Sequence, residues 1–389
     1  MTSDSIIFSI FLIFAGAAVL ATLALYARQA MIVAYIVLGM LLGPWGGGLI
    51  DDPGWIEDVS EIGIMFLLYL LGINMLPQQL WRMLGEALSV TLMSCAIFTA
   101  IGVAIAFAFG FAWHEALLIG GTMMFSSTII GLKLLPTTTL HHQHTGQIII
   151  SILLLQDLFA ILVLLIIEGY GLGDNPLYGI AREILALPVL ILVTYVLERW
   201  VIEPLIRRFD QIQEYIFLLV IAWCLGIAEL AAALGLSHEI GAFIAGVALA
   251  SCPVSKFIAD SLRPLRDFFL ILFFFSLGAG FNPSVFANIA VPAGLLALTM
   301  LFVKPFIFKM LLVRAGERRR VSAEIGARLG QVSEFSLLIA VLALESGLIG
   351  DRAGYVIQLA TLVTFIASSY WIVMRHPTPI AIRDSLRRD

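Results

Sequence analysis

The stretch Ile148-Ile-Ile-Ser-Ile-Leu-Leu-Leu-Gln-Asp-Leu-Phe-Ala-Ile-Leu-Val-Leu-Leu-Ile-Ile167 decides the fold. It has no Gly, Pro, Lys or Arg, and its one charge is Asp157, close to the middle. A helix rises about 1.5 Å per residue, and about 20 apolar residues cross the roughly 30 Å hydrocarbon layer of a bilayer. A helix apolar on every face is either deeply buried or immersed in lipid. The rest of the chain selects the second. Of 389 residues 61% are hydrophobic and 13% charged, with a mean hydropathy of +1.03. Soluble domains run near 45–50% apolar and about 25% charged. The expected class is an all-α polytopic membrane protein. The net charge of −5 excludes a basic nucleic-acid binder. Cys95, Cys224 and Cys252 lie in or beside apolar runs at spacings that fit neither zinc nor redox chemistry, so they read as small core residues.

Working outward from the sixth span, about 13 segments meet the length rule: 5–26, 31–50, 59–77, 86–110, 115–135, 146–168, 181–203, 214–234, 238–252, 264–282, 285–312, 322–348 and 353–374. The first follows Asp4 rather than a basic leader, so it reads as a span and not as a signal peptide. Basic residues fall in alternate loops: Arg28, Arg82, Lys133, Arg199, Arg207, Arg208, Lys256, Arg263, Arg266, and the cluster from Arg314 to Arg328. The tail adds Arg375, Arg383, Arg387 and Arg388. The opposite loops hold only Arg182 and Arg352, and one of them, Asp51 to Asp58, is purely acidic. An excess of Lys and Arg marks the cytoplasmic side. The expected topology puts the N-terminus outside and the C-terminus inside.

An internal repeat lies beneath this pattern. Leu71-Gly72-Ile-Asn-Met-Leu-Pro77 ends the third span and Leu277-Gly278-Ala-Gly-Phe-Asn-Pro283 ends the tenth. Ala34 to Gly39 in the second span matches Ala242 to Gly246 in the ninth with one gap. Residues 1–180 (helices one to six) then form one repeat, 181–210 a linker helix, and 211–389 (helices eight to thirteen) a second repeat of opposite topology. Inverted repeats are a hallmark of secondary transporters, whose sites lie where the repeats meet.

Polar residues at mid-membrane depth mark the candidate site. A carboxylate such as Asp157 costs at least about 3 kcal/mol there on insertion scales and is retained for function or pairing. The bare charge is disfavoured in that medium, so a proton and a cation compete for one carboxylate, and Gln156 offers an amide oxygen beside it. These two are the candidate cation ligands. The fifth span carries Ser126-Ser127-Thr128 before Gly131, and the twelfth carries Gly330-Gln331-Val332-Ser333-Glu334-Phe335. Both read as interrupted helices, since unwound backbone at this depth is tolerated where it is buried or lines a polar cavity. The repeat offset carries Ser127 onto Ser333 and Thr128 onto Glu334. Ser126, Ser127, Thr128 and Ser333 are candidates to complete an oxygen shell. Glu334 and Lys304 are candidates to neutralise half-helix ends, and Lys304 is also placed to pair with Asp157. Glu61, Glu229, Glu239 and Asp267 read as solvated caps, with the lining of an entrance funnel as the alternative. The cluster His141-His142-Gln143-His144 reads as a solvated loop, with a metal site or pH sensor as the alternative, and Gly171-Leu-Gly-Asp174 mimics an intramembrane aspartyl-protease motif but falls in an external loop without a second mid-membrane Asp.

Five of these elements in order, Glu61-Ile-Gly-Ile-Met-Phe-Leu-Leu-Tyr-Leu-Leu-Gly72, Ser126-Ser-Thr128, Gln156-Asp157, Gly241-Ala-Phe-Ile-Ala-Gly-Val-Ala-Leu-Ala-Ser251 and Gly330-Gln-Val-Ser-Glu-Phe335, resemble the membrane domain of Kef-type potassium/proton antiporters, in the second monovalent cation:proton antiporter family. The resemblance covers nearly the whole chain. It implies a 13-helix sodium/proton-antiporter-like fold with two crossed broken helices, and a homodimer in a prokaryotic inner membrane. It also implies a dimer domain of 1–80 and 211–284 and a mobile core of 86–168 and 285–374. Asp157 would bind ion and proton, with Gln156 beside it, and the Gln-Asp pair tilts the expectation to K+ over Na+. The transported ions would be K+ or Na+ and H+, with no cofactor, and an elevator-like shift would couple them. Kef proteins continue into a cytoplasmic nucleotide-binding domain. This sequence ends at Asp389 without a Gly-x-Gly-x-x-Gly unit, so nucleotide or glutathione gating is expected only if a further segment or a separate cytoplasmic regulatory subunit supplies that domain. The rival readings are a symporter for an organic anion, of related fold, and a cation channel, although no Thr-Val-Gly-Tyr-Gly filter is present. No enzyme motif such as His-Glu-x-x-His occurs.

Overall fold

The computed structural model describes residues 6–27, 29, 31–50, 54–74, 77–128, 144–171 and 176–375. The acidic run at Asp51 and Asp52, Lys133, the histidine cluster (apart from the backbone of His144), Asp174 and the basic tail beyond Arg375 lie outside the described residues. All regular structure among the described residues is helical: α1 (Ile6–Tyr26), α2 (Met31–Leu42), α3 (Gly54–Asn74), α4 (Pro77–Ala108), α5 (Trp113–Met123), α6 (His144–Gly171), α7 (Pro176–Leu197), a π turn (Glu198–Ile202), α8 (Glu203–Phe209), α9 (Gln213–Ala233), α10 (His238–Leu249), α11 (Ser255–Ala279), a 3-10 turn (Pro283–Val285), α12 (Phe286–Arg314), α13 (Arg319–Arg328), α14 (Glu334–Glu345) and α15 (Asp351–Arg375). Among the described residues seven stretches are long and apolar enough to cross a membrane: Ile6–Tyr26, Ala87–Ala108, Thr145–Leu164, Leu185–Phe209, Gln213–Ala233, Pro283–Arg314 and Asp351–Arg375. Helices dominate because hydrocarbon offers backbone groups no partner but each other. The short helices α5, α13 and α14 come from the two sequence segments read as interrupted.

The chain divides into two compact units. The first is Met1–Ala18, Tyr35–Arg82 and Glu168–Phe281, and the second is Val19–Ala34, Met83–Ile167 and Asn282–Asp389. In the first unit α3 packs on α10 and α11. Two glycine contacts there are closely matched. A methyl group on Gly39 of α2 would sit 2.0 Å from the Phe275 carbonyl oxygen of α11, and one on Gly278 of α11 would sit 2.0 Å from that of Ile36. On the other side, a methyl group on Gly246 of α10 would sit 2.1 Å from the Tyr69 carbonyl oxygen of α3, and one on Gly72 of α3 would sit 2.4 Å from that of Phe243. Small residues let backbones touch, and dispersion between them replaces the hydrophobic drive that lipid cannot supply. Gly246→Val must therefore push α3 and α10 apart by about 1 Å, an overpacking that costs about 1–3 kcal/mol or more. A drop in the thermal midpoint of the purified protein, with Gly226→Ala (open space around it) as the neutral control, checks this.

The link from α9 to α10 shows how the sequence ends a helix inside this unit. Gly235, at φ +81°, donates to the Ala232 carbonyl at 2.9 Å, and Leu236 donates to that of Ala231 at 2.9 Å. This is the paired closure of a left-handed C-terminal turn. Ser237 then caps α10 by accepting from the Ile240 amide at 3.3 Å. The second unit packs α12 against α13 and α15. Gly326 of α13 lies so close to α12 that a methyl group there would meet the Pro305 carbonyl oxygen at 2.5 Å. That approach places the breaks beside Lys304.

Candidate functional site

Asp157 sits on α6, 1% exposed, beside the fully buried Gln156. Facing them is the end of α5. Its last helical residue is Met123, and Phe125, Ser126 and Ser127 are non-helical. Thr128 re-enters helix, and the residues after it lie outside the described set. The sequence explains the break. Three consecutive hydroxyl side chains offer the backbone alternatives to helical hydrogen bonds. In α13 and α14 the matching break runs through Leu329, Gly330, Gln331, Val332 and Ser333, and Glu334 is the first residue of α14. Thr128 and Glu334, joined by the repeat offset, thus both stand where helix resumes.

A buried break leaves amides and carbonyls that must find partners. Side chains supply them. The Gln156 Nε2 group donates to the Met124 carbonyl at 3.0 Å, and its Oε1 accepts from the Ser126 amide at 3.0 Å. The Ser126 hydroxyl donates to the Leu329 carbonyl at 3.0 Å, and Gln331 Nε2 donates to the Ser127 carbonyl at 3.3 Å. Ser336 Oγ donates to the Thr122 carbonyl at 2.6 Å, and the Val332 amide donates to Thr364 Oγ1 at 3.1 Å. Ser333 caps α14 by accepting from the Phe335 amide at 3.2 Å. The two breaks are therefore stitched to each other.

Lys304, fully buried on α12, occupies the junction. Its ammonium donates to the carbonyls of Phe125 at 2.5 Å, Gln331 at 2.9 Å and Met123 at 3.4 Å, with the Phe98 ring centroid 5.4 Å away. The sequence left two roles open for Lys304, and these contacts are with half-helix ends. A cation at helix C-termini offsets the negative end of the dipole, and both α5 and α13 end here. Glu334, 4% exposed, opens α14 at its N-terminus, where an anion is favoured by the same dipole.

Among the candidate oxygen ligands Thr128 touches the Asp157 carboxylate: its Oγ1 donates to Oδ2 at 3.1 Å and lies 3.3 Å from Oδ1. Glu334 is within coulombic reach of Asp157, an acid pairing that the linear sequence concealed. Gln156, expected as an amide ligand, has both ends of its amide on the first break in this conformation. Ser126 holds the second break, and Ser333 is occupied as a cap. Gln156→Leu should strand the Ser126 amide and the Met124 carbonyl, each at about 1–3 kcal/mol. The expected result is a clear fall in thermal midpoint, with Gln156→Glu less harmful because it retains one acceptor.

Sequence reasoning gave no role to Gln331, Ser336, Thr364, Ser368 and Phe98. Ser368 Oγ holds the Gln331 Oε1 at 3.0 Å. A signal existed: Thr361, Thr364 and Ser368 recur at helical spacing on one face of α15. Of the acids read as caps, Asp267 pairs with Arg266 at 2.7 Å and Glu229 lies 3.7 Å from His238. The three cysteines are buried free thiols. Among the described residues no group of three or more His, Cys, Asp or Glu side chains is gathered as for a metal ion.

A helical membrane fold with a mid-span acid flanked by two broken helices defines a secondary cation carrier. The family model for the transmembrane sodium/hydrogen exchanger matches residues 10–374, and the chain belongs to that family. It is a multi-pass membrane protein, and the family is one of cation:proton antiporters. Relatives include the iron transporter MagA of Paramagnetospirillum magneticum, 26% identical over 89% of this chain and 80% of MagA. A putative K(+) efflux antiporter KefB of Alkalimonas amylolytica is 27% identical over 87% of the chain. The glutathione-regulated potassium-efflux system protein KefC of Klebsiella pneumoniae is 25% identical over 93%. The chain spans 52% and 59% of the length of these two Kef proteins. Both bear out the Kef-type resemblance. Among solved structures, the sodium proton antiporter MjNhaP1 of Methanocaldococcus jannaschii superposes with a TM-score of 0.70 at 18% identity, covering 94% of this chain and 95% of that one. That likeness shows the fold.

Proposed function

We propose that the protein exchanges K+, or Na+ less well, for H+ at Asp157. The observation that carries this is a buried carboxylate meeting a break hydroxyl, Thr128, while Lys304 and Gln156 hold the unwound backbone around it. Proton and cation compete for the carboxylate, and the carrier changes sides only when one of them covers the charge. Every residue of the stitched breaks lies in the second compact unit. This supports an elevator-type movement in which that unit carries the ion and the first unit is the scaffold and homodimer surface. The repeat carries Gly39 onto Gly246 and Gly72 onto Gly278, so the contact Gly39–Gly278 maps onto Gly246–Gly72, which supports the inverted-repeat reading. The N-terminus would lie outside and the C-terminus inside a prokaryotic inner membrane, with regulation left to a separate cytoplasmic subunit or a further domain. The Kef relatives favour K+. The MagA relative makes Fe(II) a necessary control.

The test is reconstitution with a lumenal pH dye. A K+ gradient should drive proton movement, with Na+ weaker and Fe(II) inactive. Because the two ions compete one for one, each tenfold rise in K+ should move the pH midpoint of exchange down by about one unit in the competitive range. A midpoint indifferent to K+ would refute a shared site.

A further inference from the structure

The first compact unit holds a cavity of about 500 Å³ that the exchange site does not use. Its lining mixes the apolar Ile191, Phe243 and Val247 with the polar Thr194, Glu198 and Arg199. Glu198 is 8% exposed, and its described hydrogen bond is from the Cys252 thiol at 3.4 Å, a weak donor. Thr194 is 1% exposed, and its hydroxyl has no hydrogen-bond partner among the described residues. The neighbouring acid, Glu203, is already engaged by Arg207 at 2.5 Å and faces Arg199 at 4.0 Å. Among the described residues no cation hydrogen-bonds the Glu198 carboxylate, although Arg199 shares the cavity, and a buried carboxylate and an unsatisfied hydroxyl in one amphipathic cavity favour a hydrogen-bonding cation.

The cavity's depth says what kind of cation. It reaches from Ile191 to Glu203 along the Leu185–Phe209 stretch, where that stretch turns from apolar to charged at Glu198 and Arg199, with Tyr195 and Trp200 beside it, 57% and 78% exposed. Exposed Tyr and Trp next to arginines mark headgroup level. Glu198 also opens a π turn, a form concentrated at functional sites. The volume is in the range of small-molecule pockets and far above that of a bare ion. We infer that this cavity binds a phospholipid with a primary ammonium headgroup. The ammonium donates to Glu198 and to Thr194 Oγ1, the phosphate meets Arg199, and the glycerol and upper acyl chain run along Ile191, Phe243 and Val247.

Native mass spectrometry of the full chain, delipidated and offered phosphatidylethanolamine, phosphatidylcholine and phosphatidylglycerol in turn, tests this. Phosphatidylethanolamine should be retained at least tenfold better than the other two, because the trimethylated ammonium has no N–H and phosphatidylglycerol has no cation. Glu198→Gln should erase the preference, and Ile244→Trp, which fills the cavity, should remove the bound lipid even if the first variant does not fold. Soluble ethanolamine or inorganic phosphate at millimolar concentration should not displace the lipid. Equal retention of the three lipids, an unchanged preference in Glu198→Gln, or full retention in Ile244→Trp overturns the assignment. So does displacement by soluble ethanolamine, which would make the ligand a free amine.

Discussion

Asp157→Asn should lower cation-driven proton exchange at least about 100-fold, a loss of roughly 2.7 kcal/mol or more in the coupled step, while leaving the protein as stable as the parent or more so. The amide keeps the shape and still meets Thr128 Oγ1, but it neither releases a proton nor offers a charge to a cation. Stability moves the other way because a charge at mid-membrane depth costs at least about 3 kcal/mol on insertion scales, and the amide removes that cost. This opposed pair of effects separates a working carboxylate from a structural one, whose removal would destabilise. Asp157→Glu should keep coupling at a lower rate, since one extra methylene displaces the carboxylate from Thr128. Dye-based exchange in proteoliposomes and thermal unfolding in detergent are the two measurements. Asparagine exchange within threefold of the parent would end the proposal.

Lys304→Met should have the largest effect on folding. Methionine matches the length of lysine but donates no hydrogen bond, so the carbonyls of Met123, Phe125 and Gln331 would lose their shared donor. An unsatisfied buried polar group costs about 1–3 kcal/mol, and the ends of α5 and α13 lose their compensating charge as well. A total of about 3–5 kcal/mol is expected, a large fraction of the margin of an ordinary domain. Lys304→Arg keeps the charge and should recover part of the loss. The checks are thermal midpoint and the yield of folded protein. A methionine variant that unfolds at the parent's temperature would mean that other groups hold the breaks.

Much of this was legible in the chain because lipid is a simple solvent. The run around Asp157 has to be a helix, since hydrocarbon leaves its backbone no other partner. Its acid has to be special, since the medium penalises charge. The sequence also located both interruptions, because Ser126 to Thr128 and Gly330 to Glu334 cluster polar and small residues inside otherwise apolar runs. The partners of these groups were not legible. Gln156 is adjacent to Asp157 in sequence and looked like its co-ligand, yet consecutive residues on a helix point about 100° apart, and its amide lies on the first break. Lys304 was balanced between an acid and a helix end, and only the position of α12 relative to both breaks decided between them. Gln331, Thr364 and Ser368 carried no charge to draw notice.

The amino-acid sequence by itself determined that this is a helical membrane protein and that an acid, Asp157, lies within one of its apolar helices, because both follow from the local cost of placing a side chain in hydrocarbon. Tertiary structure decided which groups meet: Thr128 with Asp157, Gln156 and Lys304 with the unwound backbone, and a second acid, Glu334, within coulombic reach. Those pairings join residues up to 181 positions apart. They depend on how whole helices lie against one another, and no local property of the chain encodes that.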